Sequence, residues 1–247
     1  DQGVDNIFLA DDNLVGNRAY VKKLLKELIR FNHTRKKPIA YITQLTLNCA
    51  DDDELLDLIH KANFACLFIG VETPKPESLL VANKGHNLKI DMRESIRKIH
   101  AYGIVILPGM MIGFDTDDIT IFKTQEEFLK EVGLMFPMMG MILALKGTKL
   151  WTRLKKENRV LNKSGNQFMS TNIVPKLMTN EEIDTNYAQL LRKIYSIDHF
   201  KACFQSFIEQ IDVQNMKKNK GGSKLLSLFS ISLVELFIGL KAIWAFL

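Results

Sequence analysis

An alternation of short apolar runs and amphipathic helical stretches constrains the fold of this chain more than any other feature. Each of five apolar runs is followed by a stretch whose apolar residues recur with the spacing of an α-helix. The runs cover residues 6–10, 39–44, 65–72, 104–114 and 134–145. Because stretches such as residues 66–69 lack alternating polar residues, they are typical of strands buried on both faces of a parallel sheet. The pattern predicts an α/β fold, either a barrel or a doubly wound sheet.

Capping residues mark the ends of the predicted helices. Asp51 and Asp52 before the second helix, and Asp91 before the third, stand where an N-cap carboxylate accepts hydrogen bonds from free backbone N–H groups. Gly103 and Gly133 stand where a helix ends in the left-handed conformation that glycine adopts most easily. These signals agree with the helices that the apolar spacing predicts.

The strand–helix rhythm ends near residue 159, and residues 162–175 are polar and rich in turn-forming side chains. We therefore expect two domains: a partial barrel over residues 1–160 and an all-α domain over residues 161–247. In the second domain, Thr179 and Glu182 fit a capping box that opens an amphipathic helix.

The last 23 residues, 225–247, are mostly apolar and are long enough to span a bilayer. Glu235 and Lys241 lie inside this stretch, and a charge in mid-span is costly. Two interpretations stay open here: a buried helix of the second domain, and a membrane segment flanked by lysines.

Composition limits the classes of function that this chain can have. The 247 residues carry 33 Lys and Arg against 28 Asp and Glu, and the formal net charge of +5 is too small to indicate nucleic-acid binding. Three scattered cysteines form neither a disulfide framework nor a C-x-x-C metal knuckle, so they favour a reducing, cytoplasmic location. The chain begins at Asp1 without a methionine or an apolar leader, so we expect no signal peptide and a natural start further upstream.

Several familiar motifs are missing from the sequence. The five histidines show no H-E-x-x-H spacing, and there is no G-x-G-x-x-G, no P-loop and no G-x-S-x-G. We therefore predict no metal ligands in the chain. His60 and His100 are expected on helix surfaces, and the methionines between residues 135 and 141 are expected to fill the core.

Polar residues stand where the predicted strands end. In parallel α/β folds, the carboxyl ends of the strands form one rim at which the working residues gather. The candidates are Asp11 and Asp12 after the first run, Thr43 and Gln44 after the second, Glu72 after the third, and Gly113 and Asp115 after the fourth.

Each candidate also has a structural interpretation. Asp11 and Asp12 are either turn caps or an anion pair that receives an ammonium group or a metal ion. Thr43 and Gln44 either satisfy neighbouring polar groups or face a ligand. Glu72 follows a buried strand closely, and a carboxylate there needs a partner or a ligand.

Several of these segments together resemble one family. The segments FLADDNLVGN at 8–17, TQLT at 43–46 and FIGVETP at 68–74, in this order, are similar to cobalamin-dependent radical S-adenosylmethionine (SAM) enzymes. Further similar segments are KGHN at 84–87, GMMIGFD at 109–115 and GTKL at 147–150. The helical region 179–247 also resembles the carboxyl-terminal domain of one branch of this family, in which an apolar helix with a Lys…Trp pattern, here Lys241 and Trp244, belongs to a soluble domain.

The resemblance implies a partial (β/α) barrel that holds SAM and a 4Fe-4S cluster, preceded by a cobalamin-binding domain. It implies reductive cleavage of SAM for radical chemistry, with cobalamin-assisted methylation as one outcome. Applied to this sequence, it implies cofactor-binding roles for Asp11 and Asp12 at the methionyl ammonium, Thr43 and Gln44 at the central cavity, Glu72 at the ribose, and Gly109, Gly113 and Asp115 along the cofactor.

The sequence departs from the family in its cysteines. The family's C-x-x-x-C-x-x-C loop, which supplies three thiolates to the cluster, is absent, and the spacings of Cys49, Cys66 and Cys203 cannot replace it. We therefore expect an excerpt whose cluster ligands and cobalamin domain lie outside this chain, and which is inactive alone. The implied partners are a small-molecule or lipid-like substrate and an electron-donating reductase.

Two other functions compete with this interpretation. One is a complete metal-dependent α/β enzyme in which Asp11, Asp12 and Glu72 hold Mg²⁺. The other is a non-catalytic, membrane-associated interaction protein anchored by residues 225–247.

Overall fold

The structure is a computed structural model, and it describes residues 3–81, 91–162 and 168–217. The apolar stretch 225–247, with both of its interpretations, lies outside the described residues, as does the segment 84–87. Among the described helices, none combines the length and the apolar character that a membrane crossing requires.

Five strands form one parallel sheet in the described part of the chain. They are β1 (Asn6–Leu9), β2 (Ala40–Leu45), β3 (Phe64–Glu72), β4 (Val105–Ile112) and β5 (Met138–Met141). Their spatial order follows the chain, β1-β2-β3-β4-β5, and every neighbouring pair is parallel. A doubly wound sheet reverses its strand order at a switch point, whereas this sheet never does. The strand order therefore selects the barrel-type alternative, and the predicted α/β fold is confirmed as a half-barrel.

Helices connect the strands on the outer face. They are α1 (Arg18–His33), α2 (Asp53–Lys61), α3 (Pro76–Val81), α4 (Met92–Ala101), α5 (Ile121–Val132) and α6 (Lys149–Lys156). Of the two candidates before α2, Asp52 is the N-cap, since its carboxylate accepts from the Leu55 N–H at 3.0 Å, and Asp91 is confirmed as the N-cap of α4, where its carboxylate accepts from the Glu94 N–H at 3.1 Å. The sequence did not indicate α3, a single short turn after β3.

Within residues 168–217, three further helices follow the half-barrel: α7 (Asn180–Ile194), α8 (Ile197–Gln210) and α9 (Val213–Lys217). The predicted capping box of α7 is present, with both of its reciprocal hydrogen bonds between Thr179 and Glu182. Apolar residues of α7 and α8, such as Ile183 and Phe207, belong to the same buried cluster as the strands and α5. The described part of the carboxyl-terminal region therefore shares one core with the sheet.

Gly133 shows how closely α8 packs against α5. This residue ends α5 with a φ of 74°, and a β-carbon placed on it would lie 2.7 Å from the backbone nitrogen of Phe207. Only glycine combines the left-handed conformation with this close approach. The residue is therefore needed both to end one helix and to seat another.

Two histidines are placed differently from the prediction. His60 and His100 were expected on helix surfaces, but their exposed fractions are 6% and 1%. The prediction is wrong for His100 because α8 packs against α4, and for His60 because its ring packs against that of Tyr102 at a centroid distance of 5.8 Å. His100 packs edge-on against Phe207, its Nδ1 lies 3.1 Å from Oε1 of Gln210, and burial lowers its pKa to about 4.

The methionines near β5 largely fill the core, as predicted. Met135, Met139 and Met141 are buried, whereas 43% of Met138 is exposed. Met138 differs because it points from the strand into the concave side of the sheet, where it lines a cavity.

Candidate functional site

The concave face of the half-barrel carries the candidate site. Successive side chains of a strand point to opposite faces, so one set of residues packs against the helices and the other lines the concave side. A cavity of about 270 Å³ lies there, at the carboxyl ends of the strands, and we call it the central cavity. Its lining includes Asp12, Gln44, Phe68, Glu72, Gly109 and Met138.

Glycines form the floor of the central cavity. Gly70 of β3 is the register partner of Gly109 of β4, and Gly140 of β5 is the partner of Met111. A β-carbon on Gly109 would reach to 3.5 Å from Cζ of Phe68, in ordinary van der Waals contact, and would occupy the cavity. Glycines on three neighbouring strands thus leave room for a ligand to approach the backbone closely.

Glu72 occupies an unusual backbone position at the end of β3. Its φ is 68°, in the left-handed region that side chains other than glycine rarely adopt. The register between β3 and β4 shifts between Gly70 and Glu72, and this irregularity aims the Glu72 side chain into the concave face. Such strained residues cost on the order of 1–3 kcal/mol and cluster at functional sites.

Glu72 also joins two cavities. A second cavity of about 300 Å³ lies beside the first, and Glu72 and Met111 line both of them. Gly113 and Asp115, two of the residues predicted from the strand ends, line this second cavity. The structure therefore places Glu72 at the boundary between the two cavities, over the ends of β3 and β4, and we call the two cavities together the groove.

Thr43 and Gln44 are neighbours on β2, so their side chains point to opposite faces of the sheet. Gln44 lines the central cavity, whereas Thr43 is fully buried on the opposite face. The Thr43 hydroxyl donates to the Leu9 carbonyl at 3.1 Å, so its hydrogen bond serves the pairing of β1 with β2. The structure brings Gln44, and not Thr43, to the concave side.

Asp11 and Asp12, which follow β1, also have different surroundings. Asp11 is exposed, and its carboxylate accepts from the Asn13 N–H at 2.9 Å, which is the turn-capping role considered for it. Asp12 lines the central cavity. Of the two carboxylates, the structure places that of Asp12 beside Gln44 and Glu72 in one cavity.

Asp115 lies in an ion-pair cluster at the edge of the second cavity. Its carboxylate contacts Arg153 at 2.5 Å and Arg159 at 2.6 Å, and Arg159 also pairs with Glu157 at 2.9 Å. Burial disfavours the charged Asp115, but the hydrogen bonds from the two arginines outweigh it and keep the pKa of the carboxyl below its ordinary value. The cluster ties the loop after β4 to the end of α6.

Sequence reasoning missed Asp117, which orders the loop after β4. Its carboxylate accepts from the Gly113 N–H at 2.9 Å, the Phe114 N–H at 3.0 Å and the Ser78 hydroxyl at 2.9 Å. Burial raises the pKa of Asp117, although these three hydrogen bonds oppose the increase. No local signal identifies this role, because Ser78 lies on α3 and is distant in the sequence.

The described residues offer no metal site. Over the ranges 3–81, 91–162 and 168–217, no group of three or more His, Cys, Asp or Glu side chains is arranged to hold an ion. Asp11, Asp12 and Glu72 form no such group, so the structure does not support the magnesium-enzyme alternative. The three cysteines are free, and burial raises the pKa of each thiol to about 12.

Comparisons with known proteins identify relatives over most of the chain. A family model described as a domain of unknown function (DUF4070) matches residues 148–246. An uncharacterized methyltransferase of Synechocystis sp. is 32% identical over 205 residues, which are 81% of this chain and 38% of that protein. The hopanoid C-2 methylase of Rhodopseudomonas palustris is 31% identical over 157 residues, 64% of this chain and 30% of that protein. The chain thus spans about a third of the length of these relatives.

Solved structures share the fold. The cobalamin-dependent SAM radical enzyme OxsB with aqua-cobalamin bound superimposes with a TM-score of 0.56 at 17% identity, over 92% of this chain and 42% of that chain. The radical SAM methyltransferase TsrM of Kitasatospora setae, with tryptophan and a SAM analogue bound, gives a TM-score of 0.53 at 16% identity, over 87% of this chain and 45% of that one. The half-barrel is therefore of the radical SAM type. The chain is thus homologous to part of these methyltransferases, and its half-barrel shares the fold of cobalamin-dependent radical SAM enzymes.

Proposed function

We propose that this chain is the SAM-binding half-barrel of a cobalamin-dependent radical SAM methyltransferase. The observation that carries the proposal is the meeting of Asp12, Gln44 and Glu72 over the glycine floor of Gly70 and Gly109. This arrangement combines carboxylates with a shallow backbone surface, which suits a cationic cofactor bearing hydroxyl groups.

The chemistry of SAM fits the residues present. Its ammonium group is matched by the carboxylate of Asp12, and its ribose hydroxyls by the carboxylate of Glu72, which accepts two hydrogen bonds readily. Gly109 permits close approach of the cofactor, and Gly113 and Asp115 bound the adjoining cavity. Thr43 and Asp11 support the site indirectly, Thr43 by fixing β1 against β2 and Asp11 by fixing the turn that carries Asp12.

The size of the groove agrees with a ligand of this kind. The central cavity holds about 270 Å³ and the adjoining cavity about 300 Å³. Pockets for small molecules and cofactors typically measure about 300–1,000 Å³. Either cavity alone is at the lower limit, whereas the two adjoining cavities together lie within this range and suit a nucleoside cofactor.

The residues present do not fit a 4Fe-4S cluster. Three free cysteines lie apart, the sequence contains no C-x-x-x-C-x-x-C, and the described part holds no metal-binding group. We infer that the thiolates, the cobalamin domain and the contact surface for an electron-donating reductase belong to other parts of the enzyme. On this proposal the chain binds the cofactor and the methyl acceptor, and does not cleave SAM alone.

The relatives indicate the kind of methyl acceptor. One acts on hopanoids and another, 22% identical over 185 residues, on bacteriochlorophyllide d, and both acceptors are large and mostly apolar. The apolar lining contributed by Phe68, Met111 and Met138 suits such an acceptor. We propose a small-molecule or lipid-like substrate, and a reducing cytoplasmic location that agrees with the free cysteines.

Titration of the 247-residue chain with SAM and S-adenosylhomocysteine, followed by ligand-observed NMR and calorimetry, tests the proposal. We expect saturable binding that Asp12→Asn and Glu72→Gln each weaken about tenfold, the equivalent of roughly 1.4 kcal/mol. Glu127→Gln is the matched control, because Glu127 lies exposed on α5 and pairs only with Lys123 in the described residues. Absence of saturable binding at millimolar ligand, or equal affinity in all three variants, would contradict the proposal.

A further inference from the structure

A third cavity lies against helix α7, outside the groove that we assign to SAM. It holds about 280 Å³, and we call it the α7 cavity. Its apolar wall comes from Phe168, Met169 and Leu191, and its polar groups come from Asp184 and Arg192. Phe168 also lines the central cavity, so the two cavities are neighbours on the concave side.

Asp184 carries an oxygen that lacks a hydrogen bond. Its Oδ1 is buried, and it has no hydrogen-bond partner among the residues that the structure describes. Buried carboxylate oxygens are almost always paired, because an unpaired one gives up its hydration without compensation. Asp184 also lines the cavity, so a rotation of its carboxylate would turn this oxygen toward a hydroxyl or amine donor of a ligand.

Arg192 stands two turns further along the same helix. It is exposed at the cavity, and within the described ranges it forms no ion pair with a carboxylate. Its neighbour Lys193 points to a different side, where it contacts Glu126 of α5 at 3.4 Å. A guanidinium that is not engaged by a carboxylate can bind a carboxylate or phosphate through two hydrogen bonds.

Helix geometry fixes the separation of these groups. Eight residues along an α-helix span about 12 Å, so Asp184 and Arg192 mark two points about 12 Å apart on one face. Ala188 lies between them, and its small side chain leaves the middle of the cavity open. Along the helix, the cavity therefore presents a carboxylate, then an apolar surface and then a guanidinium.

We propose that the α7 cavity binds the distal end of an amphiphilic methyl acceptor. The apolar body of the ligand lies over Ala188 and Leu191, its anionic carboxylate or phosphate meets Arg192, and a hydroxyl donates to Asp184. This rests on the proposed function in one respect, namely that the ligand also reaches the central cavity past Phe168. The cavity thereby selects acceptors that carry an anionic group remote from the carbon that is methylated.

Fluorescence titration with a dansyl-labelled fatty acid tests the site, with the methyl ester of the same probe as the uncharged comparison. We expect Arg192→Gln to raise the Kd of the acid about tenfold and to leave the ester unchanged. Lys193→Gln removes the same charge from the next position and is the matched control. Ala188→Phe, which fills the cavity without removing a charge, should weaken both probes. Circular dichroism of each variant verifies the fold.

Several results would overturn the site. One is an equal response of the acid to Arg192→Gln and Lys193→Gln, and another is probe binding that Ala188→Phe does not affect. Binding of the chain to phosphatidylglycerol vesicles without binding of the monomeric probe would indicate a membrane surface instead of a ligand cavity. SAM titration of Arg192→Gln separates the two proposals, since we expect its affinity for SAM to be unchanged.

Discussion

Oε1 of Glu72 lies 2.8 Å from the point that a β-carbon on Gly70 would occupy. The two residues are therefore a matched pair: the absence of a side chain at position 70 lets the Glu72 carboxylate fold over the strand. Gly70 is needed for the direction of a neighbouring side chain, since its own φ is not in the left-handed region. The pair links the glycine floor to the carboxylate at the centre of the groove.

Gly70→Ala should therefore impair ligand binding more than folding. The added methyl group displaces the Glu72 carboxylate, and we expect the Kd for SAM to increase about tenfold. Thermal unfolding should change little, because alanine lowers the entropy of the unfolded chain and offsets part of any strain. Calorimetric titration together with a melting curve measures both effects.

Gly16→Ala is the control for this substitution. Gly16 has open space around its hypothetical β-carbon, and its φ is not in the left-handed region. This variant should bind SAM with unchanged affinity. A Gly70→Ala protein that retains full affinity would show that the direction of the Glu72 carboxylate does not determine cofactor binding.

The arginines on Asp115 should differ in their contributions to stability. Arg159 is 12% exposed and contacts a carboxylate that is 13% exposed, whereas Arg153 is 41% exposed. Removing one partner of a buried ion pair costs roughly 3–5 kcal/mol, and removing an exposed partner costs up to about 1 kcal/mol. Because Arg153 remains beside Asp115, we expect Arg159→Met to cost about 2 kcal/mol, below that range.

Urea denaturation of Arg159→Met and Arg153→Met measures the difference directly. Both variants lose one positive charge and keep a similar side-chain length, so each serves as the control of the other. If both variants lose the same free energy of unfolding, solvent screens the two ion pairs equally. That result would contradict the prediction, which rests on the greater burial of Arg159.

Buried histidines should make the fold sensitive to acid. His100 is neutral in the folded protein, where burial lowers its pKa to about 4, whereas in the unfolded chain its pKa has the ordinary value of 6.5. The unfolded state therefore binds more protons between these two values, and stability is lost as the pH falls through that window. For this one group we expect a loss of about 2 kcal/mol between about pH 7 and about pH 5.

Urea unfolding of the wild type and of His100→Gln at the two pH values checks this slope. The variant should lose about 2 kcal/mol less stability on acidification, because its side chain does not titrate in this range. His199, whose pKa is also lowered to about 4 by burial, retains its own contribution in both proteins.

Local patterns predicted most of the fold. The apolar runs locate all five described strands, although β2 and β4 are buried on one face and only half-buried on the other, so the predicted burial of both faces is wrong for them. Asp52, Asp91 and Thr179 identify helix starts correctly, because a cap depends on only three or four neighbouring residues. The strand order, which excludes a doubly wound sheet, depends on distant pairing and required the structure.

The site was predictable by region and less so by side chain. The strand ends located Glu72 and Gln44. A strand end does not reveal which of two neighbouring side chains faces the concave side, so the sequence could not separate Gln44 from the buried Thr43. Asp117 and Gly70 went unnoticed because their roles depend on Ser78 and on the direction of Glu72. Such relationships arise between elements, and the local sequence carries no sign of them.

Tyr187 links helix α7 to the sheet. Its ring lines the α7 cavity, and its hydroxyl donates to the Met139 carbonyl of β5 at 3.0 Å. Met139 stands between Met138 and Gly140, which both line the central cavity. The Tyr187 side chain therefore bridges helix α7 and strand β5. This hydrogen bond joins the wall of the α7 cavity to the strand that contributes Met138 and Gly140 to the central cavity.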